Sequence, residues 1–433
     1  MPRLTRDRLT WLTYAQLGLW GFFLYGFGPV VPLLRDEQGT SAAVAGLHST
    51  GIAAGALAGG ALFAPLARRF GRGRVIWAGL AGVAAGVAAL GGVRALPATI
   101  TAVAVIATFG MLVISGVSVV LTDRHGTGAP AALTEANAVC AGAGILAPLV
   151  IGASVDAGWG WRPAMAVEVG LIALVALAAL ILRVRLPRPA PAAAAPGDRP
   201  AGDRADAGPT AVVGSAVDTG PAVDADWPSG ARRPERRLPP AYWIAWALMA
   251  VTGSIEVCLS LWTADVLRSH AGMTAGAASA AVAAIVCGMF VGRLVGGRFA
   301  LRYRPVPLLL AALGVSLAGF ALFWIAPIGW LAVTGLVVLG LGNALHYPLA
   351  ISIALAVAGP AADRAAGWAS YSMGVGFGIA PVALGWVADG VGPHLAFLLL
   401  PGFIAAAAVL AARLGRALRP TATPAPTPAT TNA

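Results

Sequence analysis

One residue pattern occurs twice in this chain at a constant offset, and that duplication limits the folds open to it. Leu34-Arg35, Gly39 and Ser41-Ala42 return 233 positions on as Leu267-Arg268, Gly272 and Thr274-Ala275. Gly55, Gly59 and Arg69 return at the same offset as Gly288, Gly292 and Arg302. So do Ala147-Pro148, Gly152 and Asp156, as Ala380-Pro381, Gly385 and Asp389. One such echo is unremarkable in an Ala- and Gly-rich chain, but three in one register require two homologous halves. Between them residues 183–240 are rich in Pro, Ala, Gly, Asp and Arg, with too little apolar surface to offset the entropy of ordering. The expected organisation is a six-helix bundle over 1–182, a disordered cytoplasmic linker over 183–240, a second six-helix bundle over 241–416 and a disordered tail over 417–433.

What was doubled belongs in a bilayer. Hydrophobic residues make up 58% of the chain and charged ones 11%, against roughly 25% in soluble proteins; the mean hydropathy is +0.80. The apolar runs, each long enough for a membrane helix of about 20 residues, fall near 11–34, 42–65, 73–93, 97–121, 131–155 and 162–182, then 241–264, 274–297, 305–326, 329–357, 366–388 and 394–413. The prediction is therefore an all-α membrane protein of twelve transmembrane helices. The first run contains Tyr14, Gln16 and Tyr25 and lacks a small-residue cleavage site, so it reads as a retained helix.

Charge sets the expected orientation and removes other classes. All 29 basic residues are Arg. With the N-terminus inside, fifteen Arg fall in inner short segments and only Arg35, Arg94, Arg162 and Arg268 in outer ones, which by the positive-inside rule puts both termini and the linker in the cytoplasm of a bacterial inner membrane. Scattered among short loops, these Arg form no aromatic-interleaved patch, so the net charge of +11 does not indicate nucleic acid as a partner. Cys140, Cys258 and Cys287 lie in apolar runs and read as core residues. A chain without Lys has no P-loop, and its five scattered His form neither metal spacing nor a catalytic pair, so no cofactor, metal or enzymatic activity is expected.

The residues that follow resemble the major facilitator superfamily of secondary transporters, a resemblance covering nearly the whole chain except linker and tails. Two six-helix halves joined by a long inner connection fit parallel repeats about an axis normal to the membrane. The loop after the second span reads Ala64-x3-Arg68-Arg69-Phe70-Gly71-Arg72-Gly73-Arg74 and is similar to the family's G-x3-D-R-x-G-R, with Ala64 and Arg68 in place of its Gly and Asp. By resemblance this is an inner-gate loop, to which Arg68, Arg69, Gly71, Arg72, Arg74, Arg293 and Arg302 are assigned; snorkelling is the alternative for Arg293. The segment Gly144-Ile145-Leu146-Ala147-Pro148-x3-Gly152 resembles a degraded G-P-x2-G-G motif of drug/proton antiporters, which points to export.

Polar groups at mid-membrane depth supply the candidate site. Gln16, Trp20, Tyr25, Asn343, His346, Tyr347 and Tyr371 are candidates for a substrate cavity, with interhelical packing as the other reading. Glu256 and Glu168 are candidates for proton coupling. Glu256 lies some fifteen residues into its span, roughly 22 Å along the axis, flanked by small and apolar residues; a Glu paired with an Arg or with His346 to fix packing is the alternative. The repeat segments with Pro148, Gly152, Asp156, Pro381, Gly385 and Asp389 are expected at equivalent places, both Asp at outer helix ends.

The functional expectation is a monomeric, proton-coupled secondary transporter of a small organic molecule, with export first and sugar or organic-acid uptake as the alternative. A transporter-like receptor that binds without moving its ligand is an alternative of another class. Flux measured against binding in proteoliposomes separates them. Deleting about thirty residues from the middle of the linker should leave transport largely intact, because a flexible tether shortens without losing its span; loss of folded protein in detergent would contradict this.

Overall fold

The computed structural model describes residues 6–184, 238–300 and 302–418. The linker and tail expected from sequence lie, but for their edges, outside these residues. Among the described residues, twelve helices are long and apolar enough to span a bilayer. They are α1 (Arg8–Gln38), α2 (Ala42–Phe70), α3 (Arg72–Gly92), α4 (Leu96–His125), α5 (Ala129–Asp156) and α6 (Arg162–Ile181), then α7 (Pro240–Ser269), α8 (Ala275–Ala281 and Ala283–Ala300), α9 (Pro305–Ile325), α10 (Gly329–Asn343 and His346–Ala358), α11 (Ala362–Val391) and α12 (Pro393–Ala396 and Leu399–Ala417). Several run beyond the apolar segments, because caps rather than hydropathy end them.

Each repeated pattern has a distinct structural job. The first is a helix stop followed by a helix start. Gly39 takes a left-handed φ of 60° and returns its N–H to the Arg35 carbonyl, ending α1. Ser41 then accepts from the Val44 N–H at 3.3 Å and starts α2. In the other half Gly272 has φ 62°, and Thr274 accepts from the Ala277 N–H at 3.1 Å to start α8.

The second pattern is a small-residue face that lets helices approach closely. A Cβ on Gly55 would strike the Ala104 carbonyl of α4, and one on Gly59 the Thr108 carbonyl. In the second half Gly288 meets the Val337 carbonyl of α10, and Gly292 meets Leu341 and Ala344. Both bundles thus pair their second and fourth helices backbone to backbone.

The third pattern joins the halves reciprocally. Asp389, near the end of α11, accepts from the Ala42 and Ala43 N–H groups at 2.7 and 3.0 Å, supplementing the cap of α2. Asp156, the last residue of α5, accepts from the Thr274 hydroxyl at 3.2 Å at the start of α8. Gly385 lies against Ala42 and Gly152 against Gly276 and Ala280, so each acid reaches the first turn of a helix in the other half. A carboxylate placed there also complements the positive end of the helix dipole.

Of the three described spans that come in two segments, α10 breaks beside the polar residues Asn343 and His346. The break in α10 falls at Ala344 and Leu345. Pro348 supplies the reason, since its missing N–H leaves the carbonyl four residues back without an intrahelical partner.

Gly55→Leu should destabilise the protein by about 1–3 kcal/mol through overpacking against α4, read as a lower midpoint in denaturation by sodium dodecyl sulfate. Gly170→Leu, where an added side chain meets nothing within 4 Å, serves as the control and should leave the midpoint unchanged or slightly raised.

Candidate functional site

Between the bundles lies a cavity of about 700 Å³. The first bundle contributes Leu17, Trp20, Leu24 and Tyr25 from α1, Ile52 to Ala64 from α2, Met111 from α4, and Asn137 and Cys140 from α5. The second contributes Glu256 of α7, Arg293 of α8, Tyr347 of α10, and Trp368, Tyr371 and Phe377 of α11. Most lining residues of α2 and α11, from Ala56 to Ala64 and from Trp368 to Gly374, lie in the halves of those helices nearer the termini. The cavity therefore extends toward the face that carries both termini.

Glycines and prolines make this space. Gly144 has no side chain where the Tyr25 ring packs, and a Cβ on Gly21 would meet Cys140. Pro148 and Pro381 lie inside the continuous helices α5 and α11, where their missing N–H leaves the carbonyls of Gly144 and Phe377 without the usual intrahelical donor.

The electrostatics of the cavity are sparse. Glu256 and Arg293 are the two charged side chains among its described lining residues. They interact coulombically, and the Arg293 guanidinium lies beside the Tyr25 hydroxyl. Its Nε has no hydrogen-bond partner among the described residues. Tyr347 also senses the Glu256 charge. One guanidinium and one carboxylate thus share a cavity whose aromatic residues come from both bundles.

The residues assigned from sequence fall in different places. Arg293, assigned with the inner-gate loop, lines the cavity, where its position on α8 faces Tyr25 across the gap between bundles. His346 and Asn343 are not among the lining residues. They serve the α10 break, where His346 Nε2 lies 3.1 Å from the Ser316 hydroxyl and Asn343 Nδ2 is 3.7 Å from the Met289 sulfur. Gln16 is fully buried within the bundle, and its amide atoms have no partner among the described residues. Glu168 is likewise fully buried in α6, away from the cavity lining. Trp20, Tyr25, Tyr347 and Tyr371 do line the cavity.

The loop after α2 is a short basic turn. Gly71 takes φ 84° and makes the tight turn. Arg72 pairs with Asp123 in the last turn of α4. Arg69 lies over the Phe70 ring at 5.3 Å, while Arg68, Arg74 and Arg302 are exposed. Nearby, Arg6 forms a bidentate pair with Glu135 at 2.9 and 2.5 Å, and Arg124 bonds Asp7 at 2.5 Å.

The face opposite the termini is closed by contacts that sequence reasoning did not find. Arg35 of α1 pairs with Asp265 of α7, and Arg268 of α7 pairs with Asp36 of α1 at 2.8 Å. Arg35 and Arg268 are repeat equivalents, assigned from sequence to outer loops; each is in the last turn of its helix and crosses to the other bundle. Asp265 is only 4% exposed. Below these pairs a Cβ on Gly28 would strike the Ser260 carbonyl, and the Thr50 hydroxyl donates to the Gly378 carbonyl at 2.6 Å. The visible signal was an Arg repeated at the 233 offset with an acid one residue after it in one half and three residues before it in the other.

The family model of the Major Facilitator Superfamily matches residues 15–367. Among solved structures, the fold is similar to a bacterial homolog of the human lysosomal transporter Spinster in an inward-facing, unoccupied conformation. That match has TM-score 0.67 and 14% identity, covering 95% of this chain and 97% of that one. It is similar to the nucleoside transporter NupG with TM-score 0.66 and 13% identity, over 94% and 98% of the two chains. For the superfamily transporter FucP in the outward conformation the TM-score is 0.54 at 17% identity, over 94% and 98%. No curated protein sequence matches the chain.

Asp265→Asn should loosen the closed face by about 2 kcal/mol, the scale of a lost charge-assisted bond to Arg35. A Cys introduced at Ser260 in a background lacking native Cys should then react several-fold faster with an impermeant thiol reagent added on that side. An unchanged rate would mean the ion pairs do not hold the closure.

Proposed function

The chain belongs to the Major Facilitator Superfamily of membrane transporters, and from that premise we propose that it moves a small organic molecule across a bacterial inner membrane, coupled to protons through Glu256. The carrying observation is that Glu256 is the one carboxylate among the described residues lining the cavity between the bundles. An ionised carboxylate in that setting is expensive, and protonation removes the expense. A group that changes charge at the surface where the bundles part is suited to couple a proton to their movement. Glu168, sealed within one bundle, has no comparable access.

The geometry supports alternating access about this cavity. The face without termini is held by ion pairs and by acids at helix starts, while the cavity extends toward the terminal face. We place the terminal face in the cytoplasm on the strength of its Arg excess. The structure is then open inward. Transport requires the closed face to part and the other to shut, by rocking of the bundles.

Export, the first expectation from sequence, rested on the α5 glycine pattern. In the fold those residues make room for Tyr25 and for α8, a packing role that carries no direction. The 700 Å³ volume suits a drug-sized molecule or smaller.

The test begins with a thermal-shift screen of the purified protein to find a binder, since a ligand of the folded state raises its stability by mass action. In proteoliposomes Glu256→Gln should fold normally and abolish accumulation of that compound driven by an imposed pH difference, while exchange of compound for compound persists. Accumulation by the Gln variant equal to wild type would move the proton elsewhere, with Glu168 next in line. Binding without flux in the wild type would favour a receptor.

A further inference from the structure

The charges in the cavity bear on substrate class, and the inference rests on Glu256 as the coupling residue. We propose that the substrate is an organic monocarboxylate on an apolar body, bound through its carboxylate to Arg293 and carried together with the proton held by Glu256.

Charge balance carries the inference. With the cavity empty, its described lining residues hold one carboxylate, Glu256, and one guanidinium, Arg293, and are neutral overall. Protonation of Glu256 alone would leave a bare guanidinium in an apolar cavity, and binding of an anion alone would leave a net negative charge. Either is penalised by burial. Proton and anion together restore neutrality, because the carboxylate of the substrate takes over the place of the Glu256 charge. The two ligands therefore bind with positive coupling, and linkage makes that coupling reciprocal. Only the empty and the doubly loaded cavity are neutral, so these are the states suited to close and reopen. The proton and the anion then move in the same direction, and an inward proton gradient drives uptake.

The surroundings agree. The Arg293 Nε has no partner among the described residues, so its planar fork has a free donor there for a carboxylate. The titratable groups facing the Glu256 and Arg293 pair are Tyr25 from α1, Cys140 from α5 and Tyr347 from α10; none carries a second positive or negative charge at neutral pH. Trp20, Tyr371 and Phe377 offer aromatic surface to the rest of the molecule. An organic cation is disfavoured, since it would sit beside Arg293 and need Glu256 ionised.

The probes are phenylpropionate, its primary amide and phenylpropylamine, titrated calorimetrically into the full-length protein in lipid nanodiscs. Phenylpropionate should bind at least about tenfold more tightly than the amide or the amine. Its affinity should rise as pH falls from about 8 to about 6, by up to about tenfold per unit, a range in which the probe stays ionised. Glu256→Gln, neutral at every pH, should bind phenylpropionate with that pH dependence flattened. Arg293→Gln should weaken binding by on the order of tenfold or more, with partial rescue in Arg293→Lys. Should Arg293→Gln not fold because Glu256 is left unpaired, the double variant Glu256→Gln/Arg293→Gln removes both charges and should still fail to bind. No binding of phenylpropionate, equal or tighter binding of the amide or amine, or full affinity without Arg293 overturns the proposal. A neutral or cationic compound from the screen whose proton-driven accumulation is lost in Glu256→Gln would overturn the substrate class and leave the coupling role standing. Unchanged pH dependence in Glu256→Gln would instead overturn the coupling role.

Discussion

Inside a bilayer the backbone has no water to bond, so every amide must be satisfied within a helix, and the helices must find cohesion without a hydrophobic gradient between them and the lipid. This chain meets that constraint by close backbone approach. Gly55 and Gly59 on α2, and Gly288 and Gly292 on α8, bring the second and fourth helices of each bundle together in equivalent ways. Tight packing within bundles leaves the seam between them as the place where space and polar groups collect. The cavity lies on that seam.

Closure of one end of the seam combines two kinds of contact with different energetics. Asp156 and Asp389 act at helix starts in the opposite bundle, where acid and dipole complement each other but exposure weakens the attraction. The Arg35 and Asp265 pair is more enclosed, so separating it leaves a poorly solvated charge. Such a closure is firm yet reversible, provided water enters as the helices part. The tight turns that end α1 and α7 hold both arginines at the seam, which ties the gate to the repeated pattern.

At the level of the cavity the second bundle supplies both charges with Tyr347, Trp368, Tyr371 and Phe377, and the first supplies Trp20, Tyr25 and Asn137. The halves are equivalent as scaffolds and different as chemistry. Phe23 stands at the repeat position of Glu256, and Gly60 at that of Arg293, so the ionisable pair is not a structural requirement of the repeat. The asymmetry gives one bundle the charge and leaves the other to present an apolar face against it.

How much was legible before any coordinates follows from which residues act locally. The twelve spans, the duplication at 233 positions and the small-residue faces were readable because hydropathy and helical spacing are properties of contiguous sequence. Gly39 with Ser41, and Gly272 with Thr274, likewise carry their stop and start signals within a few residues. The cavity was readable only in part. Trp20, Tyr25, Glu256, Tyr347 and Tyr371 line it, whereas His346, Asn343 and Gln16 have equally polar side chains that point into their own bundle. Sequence sets a residue's depth along its helix, but the side it faces depends on how that helix is rotated against its neighbours. Arg293 joining Glu256, and Arg35 reaching Asp265 from 230 residues away, were decided by the assembled bundles, because only there do charges remote along the chain share one low-dielectric space.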